Sequence, residues 1–260
     1  MQMTIKKYNE MDGARTTHFG FETVGVDEKA ERIAEVFDAI SAKYDMMNDV
    51  MSLGTHRLVK WYAIQASNIK PGSKVLDIAA GTGDLSRLIS RRVGPQGIVV
   101  HSDINEQMLK AGRARLSKAD IPNNMTFLQA DAENLQFADN SFDAVTIGYG
   151  IRNFTDKEQA QREILRVLKP GGQLTIIEFS RPTSRPLQMM ANAYSRLWPT
   201  FGQILVGNCK PYRYLVESIK MHPDQVTFKS MMQDAVYAHV TYENLMGGIA
   251  ALHIGLKPKV

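Results

Sequence analysis

The chain has 260 residues, 44% apolar and 22% charged, the make-up of a globular protein long enough to bury a full core. Its single cysteine, Cys209, excludes an intrachain disulfide framework or a thiolate zinc cluster and fits a reducing compartment, and its scattered histidines offer no H-x-x-x-H metal pair. A net charge of +4 and a pI near 9.0 make no case for nucleic acid, no apolar run approaches the roughly 18 residues a bilayer span requires, and no secretory h-region follows Lys6 and Lys7, so the expectation is a cytoplasmic protein.

Residues 1–26 lack periodicity and are expected to be a flexible arm, with one domain over 27–260. From Asp27 a helical pattern begins, and the spacing of Ile33, Phe37, Ile40 and Tyr44 puts them on one face. A second helix is expected from His56 to about Ser67, so that residues 27–69 form a helical cap. The breaker Lys70-Pro71-Gly72 then introduces short β-rich runs at 74–78, 97–103, 125–131, 142–148 and 173–180, with helices such as Asn105–Ala119 and Asp156–Leu168 between them. Strands alternating with helices predict a doubly wound parallel sheet whose strand C-termini share one ligand-binding edge. A helical insertion follows over 181–232, including one long helix from Pro186 to about Leu205, and two strand candidates, VTYENL and AALHIGL, complete a seven-stranded sheet.

The first strand runs into VLDIAAGTGD. Gly81 and Gly83 allow a tight turn close to a ligand, and Asp77 and Asp84 are expected to bring negative charge to its mouth. A dinucleotide fingerprint needs a third small residue where Ser86 stands, and acidic surroundings would repel a pyrophosphate. The turn suits a zwitterionic cofactor carrying an ammonium and a sulfonium. Asp103 ends the second strand, 20 residues beyond Gly83, where a carboxylate can accept both ribose hydroxyls. Asp131, at the end of the third, can accept from an adenine amino group, with Ala132 contributing backbone. Taken singly, each has another reading: G-T-G occurs in ordinary turns, and an aspartate at a strand end also serves as a helix cap.

Together these runs resemble the class I methyltransferase fold, Rossmann-like with helices on both faces, and within it the UbiE/COQ5 family of quinone-biosynthesis C-methyltransferases. The resemblance rests on YDMMNDVMSLGTHR at 44–57, RVLKPGGQLTIIEFS at 166–180, GIRN at 150–153, YRYLVESIKMHPDQ at 212–225 and GGIAALHIGLKP at 247–258. It implies S-adenosyl-L-methionine as cofactor, contacted by Thr82, Asp103, Asp131 and Ala132, and at Gly148 where the family often has serine. Where the first signature usually continues with tryptophan, this chain has Val59, with Trp61 nearby. The substrate implied is a polyprenylated quinol, 2-methoxy-6-polyprenyl-1,4-benzoquinol or demethylmenaquinol, methylated on a ring carbon. Further expectations are peripheral contact with the inner membrane, other quinone-biosynthesis enzymes as partners, and a homodimer as one admissible state.

Carbon methylation needs an acceptor whose hydroxyl ionises, and hence a base or a positive group. Arg152 and Asn153 follow the fourth strand, where arginine can stabilise a quinolate but not take its proton. Tyr44, Asn48 and His56 could close over the ring, and histidine has the most suitable pKa for a base. Packing for Tyr44, capping for His56 and a structural ion pair for Arg152 are the alternatives. The methionines at 46, 47, 51, 189, 190, 231 and 232 could line a path for an isoprenoid tail or fill the core. Two other functions remain open here: methylation of a different small molecule such as a sterol, and a cofactor-binding scaffold without turnover.

Overall fold

The computed structural model describes residues 10–11 and 14–259. Part of the expected arm is ordered. Strands β1 (Glu10–Met11), β2 (Ala14–Phe19) and β3 (Glu22–Gly25) form a small antiparallel sheet, with Phe19 opposite Glu22 across a turn at Gly20. What stabilises this hairpin lies outside it: the Phe19 ring stacks on Tyr214 at 4.3 Å, and the Arg32 guanidinium lies over the same ring, 5.5 Å from its centre. The rest of that arm, residues 1–9 and 12–13, lies outside the described residues.

The cap contains three helices, α1 (Val26–Ile40), α2 (Tyr44–Ser52) and α3 (Thr55–Ala66). A 3-10 turn at Ser41–Lys43 ends the run expected to carry Tyr44 on the face of Ile33 and Phe37; Tyr44 instead starts α2. Leu53 and Gly54, both left-handed, reverse the chain between α2 and α3.

The main body alternates β4 (Lys74–Ile78), α4 (Asp84–Val93), β5 (Ile98–Asp103), α5 (Glu106–Leu116), β6 (Met125–Gln129), β7 (Phe142–Gly148), α6 (Lys157–Val167) and β8 (Leu168–Phe179). Asn105 and Asp156 cap α5 and α6 by accepting from backbone amides in the first turn, the reason these helices start where they do. The expected long helix of the insertion is two, α7 (Arg185–Ser195) and α8 (Trp198–Val206), each with a proline in its first turn. Pro199 can begin a helix but not continue one, so the apolar period crosses a break. Helices α9 (Lys210–Met221) and α10 (Gln225–Asp234) and strands β9 (Ala238–Leu245) and β10 (Ala250–Leu256) complete the chain.

The seven strands lie in the order β6-β5-β4-β7-β8-β10-β9. The first five are parallel, and β10 runs antiparallel to both its neighbours, so the sheet is mixed. Alternation along β4 divides the core: Leu76 faces α6 and α10 with Val145, Ile164 and Phe228, while Val75 faces α3 and α4 with Val99, Ala63 and Ile89. Each of these fully buried side chains larger than alanine contributes about 1.5–3 kcal/mol. A third cluster, Ile40, Met47, Trp198 and Tyr212 with Phe37, Tyr44 and Phe179 against it, belongs to α1, α2, α8 and α9. The cap and the insertion thus meet above the C-terminal sheet edge and enclose space there.

Candidate active site

Two adjoining cavities occupy that space. One, of about 360 Å³, is lined by Gly81, Asp103, Ile104, Asp131, Ala132 and Gly148 from strand ends and by α1 from above. The other, of about 480 Å³, lies among α2, α3, α7, α8 and α9 and is mostly apolar. Phe37, Tyr44, Gly148 and Tyr149 line both.

Asp103 is the anchor of the smaller cavity. Its carboxylate accepts from the amides of Gly81 (2.8 Å) and Asn105 (2.9 Å), one on each oxygen, so it is held rigidly while each oxygen retains capacity for another donor. Burial nevertheless pushes its pKa up to about 6, against the lowering effect of those amides. Gly81 is left-handed, and Gly83 is both left-handed and so closely covered that a Cβ would lie 2.4 Å from Leu116 Cδ1. Gly148 leaves space that Leu85 fills, its Cδ1 2.6 Å from where a Cβ would stand; a serine would require Leu85 to turn. Buried carboxylate, close-packed glycine turn, exposed Asp131 and apolar Ile104 and Ala132 fit the ribose, the amino-acid portion and the adenine of S-adenosylmethionine.

Four residues expected at the donor site lie elsewhere. Asp77 does not reach the cavity: it is fully buried in the sheet, accepts from Ser86 (2.5 Å) and Thr146 (2.6 Å), and is raised by burial to about 6. Thr82 gives its hydroxyl to Asp45 of α2 at 2.6 Å, and neither Thr82 nor Gly83 lines either cavity. Asp84 brings no free negative charge, because Lys60 and Arg115 each bind it at 2.7 Å and hold its carboxyl well below the usual range despite burial.

The larger cavity collects Tyr44, Asn48, His56 and Arg152. His56 Nε2 lies 2.9 Å from Asp49 Oδ1. Burial, aided by Lys60, lowers the His56 pKa and favours the neutral ring; with Nε2 donating to Asp49, Nδ1 carries the lone pair, buried, without a hydrogen-bond partner among the described residues and 3.8 Å from Asp84 Oδ2. Arg152 is buried against Glu178 at 3.0 Å, donates to the Tyr149 carbonyl and lies 5.6 Å from the Phe179 ring centre. Burial opposes its charge, but Glu178, Tyr44 and Tyr214 outweigh burial and raise its pKa, so it stays a cation. Asn153 lines the smaller cavity and accepts from the Tyr214 hydroxyl at 3.0 Å. Met47, Met51 and Met190 line the larger cavity, whereas Met231 and Met232 belong to the core beside Phe228, and Met46 and Met189 are exposed.

Lys60, Tyr149 and Glu178 were not read from the sequence. Glu178 had a signal, a lone carboxylate in the apolar run LTIIEF; Lys60 is one more lysine on a helix until folding sets it on Asp84.

The ubiE/COQ5 methyltransferase family model matches residues 25–257. The chain belongs to this family. It is 53% identical over 248 residues to the ubiquinone/menaquinone biosynthesis C-methyltransferase UbiE of Pseudomonas paraeruginosa and 54% identical to that of Pseudomonas fluorescens, in each case covering 95% of this chain and 97% of the relative. Solved structures share the fold: an S-adenosylmethionine-dependent methyltransferase from Aquifex aeolicus has TM-score 0.57 at 16% identity over 82% of this chain and 97% of that one. Another from Thermotoga maritima has TM-score 0.59 at 19% identity over 86% and 99%. The expected class I fold and S-adenosylmethionine as methyl donor therefore stand for this family member.

Proposed function

We propose that this methyltransferase transfers a methyl group to a ring carbon of a polyprenylated quinol in ubiquinone or menaquinone synthesis, with 2-methoxy-6-polyprenyl-1,4-benzoquinol and demethylmenaquinol as substrates. The observation that carries the reading is the buried Arg152–Glu178 pair at the side of a large apolar cavity that adjoins the cofactor cavity across Gly148 and Tyr149. The names of the relatives support the same chemistry.

S-adenosylmethionine, when bound, supplies an electrophilic methyl group on sulfur. The chain's own residues prepare the acceptor. A quinol carbon turns nucleophilic as its neighbouring hydroxyl loses a proton, which His56 Nδ1, without a hydrogen-bond partner among the described residues, accepts while Asp49 and Asp84 stabilise the imidazolium. Arg152 holds the charge left on oxygen, and the apolar lining keeps water away. Tyr44, on the boundary of both cavities, positions the ring.

Among the described residues no helix is long and apolar enough to cross a membrane. We place the protein in the cytoplasm, meeting the inner membrane only at its periphery. Transfer of radiolabelled methyl from S-adenosylmethionine to demethylquinol extract tests the reading. Labelled quinone is expected from the wild-type chain; its absence, with the cofactor bound, would leave a scaffold or a different acceptor.

A further inference from the structure

The larger cavity opens on a rim that is itself apolar. Leu53, Met190 and Met246 all line it, yet they are 80%, 61% and 47% exposed, so they stand at its mouth. The rim continues onto α3, where Leu58 and Trp61, three residues apart and therefore on one face, are 70% and 52% exposed. That face lies beside the mouth because Tyr62 bonds Glu243, three residues before Met246. A Trp and several long aliphatic side chains left in water around a single opening are not needed for the core.

The charge along one side of this patch is basic. Between Glu178 and Glu217 there is no acidic residue, while Arg181, Arg185, Arg196, Lys210 and Arg213 fall in that stretch. Arg181 and Arg185 are tied to the rim, since the Thr183 amide and hydroxyl both donate to the Gly247 carbonyl, next to Met246. On the other side Asp49 is neutralised by Arg57, while Glu243, which only accepts from the Tyr62 hydroxyl, remains an anion at the edge of the patch.

Resting on the quinol reading of this cavity, we propose that the face carrying Leu53, Leu58, Trp61, Met190 and Met246 docks on an anionic lipid bilayer, with Arg181 and Arg185 on its headgroups. Shallow burial of a few apolar side chains plus a basic fringe gives reversible, salt-sensitive binding. Docked in this way, the mouth faces the hydrocarbon, and a tailed acceptor can enter without crossing water.

Flotation of the full chain with vesicles of phosphatidylcholine, or of phosphatidylcholine with phosphatidylglycerol, tests this without turnover. Wild type is expected to float with the anionic vesicles, less with the neutral ones, and to be released by salt. Leu58→Asp/Trp61→Asp and, separately, Arg181→Glu/Arg185→Glu alter residues that do not line the cavity. Each should bind anionic vesicles about tenfold more weakly or worse while melting normally and methylating a short-tailed, water-soluble quinol at the wild-type rate. A wild type that ignores anionic vesicles, or folded variants that bind them undiminished, would overturn the proposal; such a wild type would also leave a protein partner as the occupant of this face. Loss of short-tail turnover in the wild type itself would strike the quinol reading instead, and leaves the vesicle measurement to be judged alone.

Discussion

Replacing Glu178 by glutamine separates what the buried ion pair does for folding from what it does for chemistry. Glu178 holds Arg152 twice, its Oε1 accepting from Nη1 at 3.0 Å and its Oε2 from the backbone amide at 3.2 Å, and both side chains are almost wholly buried. Glutamine keeps one acceptor and the shape but leaves the guanidinium charge uncompensated. Removing one partner of a buried pair costs about 3–5 kcal/mol, and the retained acceptor points to the lower end; at about 2–4 °C per kcal/mol, Tm should fall by about 6–12 °C. Because Arg152 is then free to turn toward other acceptors, kcat should fall by about tenfold to a hundredfold with the affinity for S-adenosylmethionine unchanged. Thermal denaturation and radiolabelled methyl transfer read the two effects. The double variant Arg152→Met/Glu178→Leu should regain most of the stability, since no buried charge remains, and none of the turnover. A Glu178→Gln protein with wild-type Tm and wild-type kcat would refute the assignment of Arg152 as a preorganised cation held by Glu178.

Arg152→Ala should lower kcat by about a hundredfold to a thousandfold while sparing cofactor affinity measured by calorimetry, and Arg152→Lys should recover only part, a point charge lacking the guanidinium fork. Asp103 must be ionised to accept two ribose hydroxyls, so cofactor affinity should weaken as pH falls through about 6, and Asp103→Asn should bind weakly at every pH. The sign for folding is the reverse: with a folded pKa of about 6, above that of an unfolded aspartate, the stability Asp103 contributes is fully present only below about pH 4 and is lost as pH rises through about 6. Denaturant melts of the ligand-free chain should show that decline flattened in Asp103→Asn. Asp77→Ala should leave the Thr146 hydroxyl a buried donor without its acceptor and Ser86 with only His101 Nδ1, costing about 1–3 kcal/mol with the cofactor site structurally intact, as unfolding midpoints and calorimetry would show.

The strands and the cofactor turn were legible because their signals are local. KVLDI and FDAVTIG coincide with β4 and β7, as continuous apolar runs bounded by turn residues do when both faces of a parallel strand are covered. Asp103 was legible for the same reason: where a strand ends and a capped helix begins, the sequence already places a carboxylate at the sheet edge. The break between α7 and α8 was also written there, in Pro199, but an apolar period running across it masked the signal.

What the sequence by itself determined, then, is the alternating fold, the donor-binding edge and, through its motifs, the family. Only the tertiary structure decided which carboxylates face a ligand and which face the core. Asp77 and Asp103 are both strand aspartates, but Ser86 and Thr146 close around the first while the second stands on the cavity. Only folding could pair Lys60 with Asp84, Glu178 with Arg152 or Phe19 with Tyr214. These partners sit 24, 26 and, for Phe19 and Tyr214, 195 residues apart, so their interaction energies depend on distances that no local pattern of residues encodes.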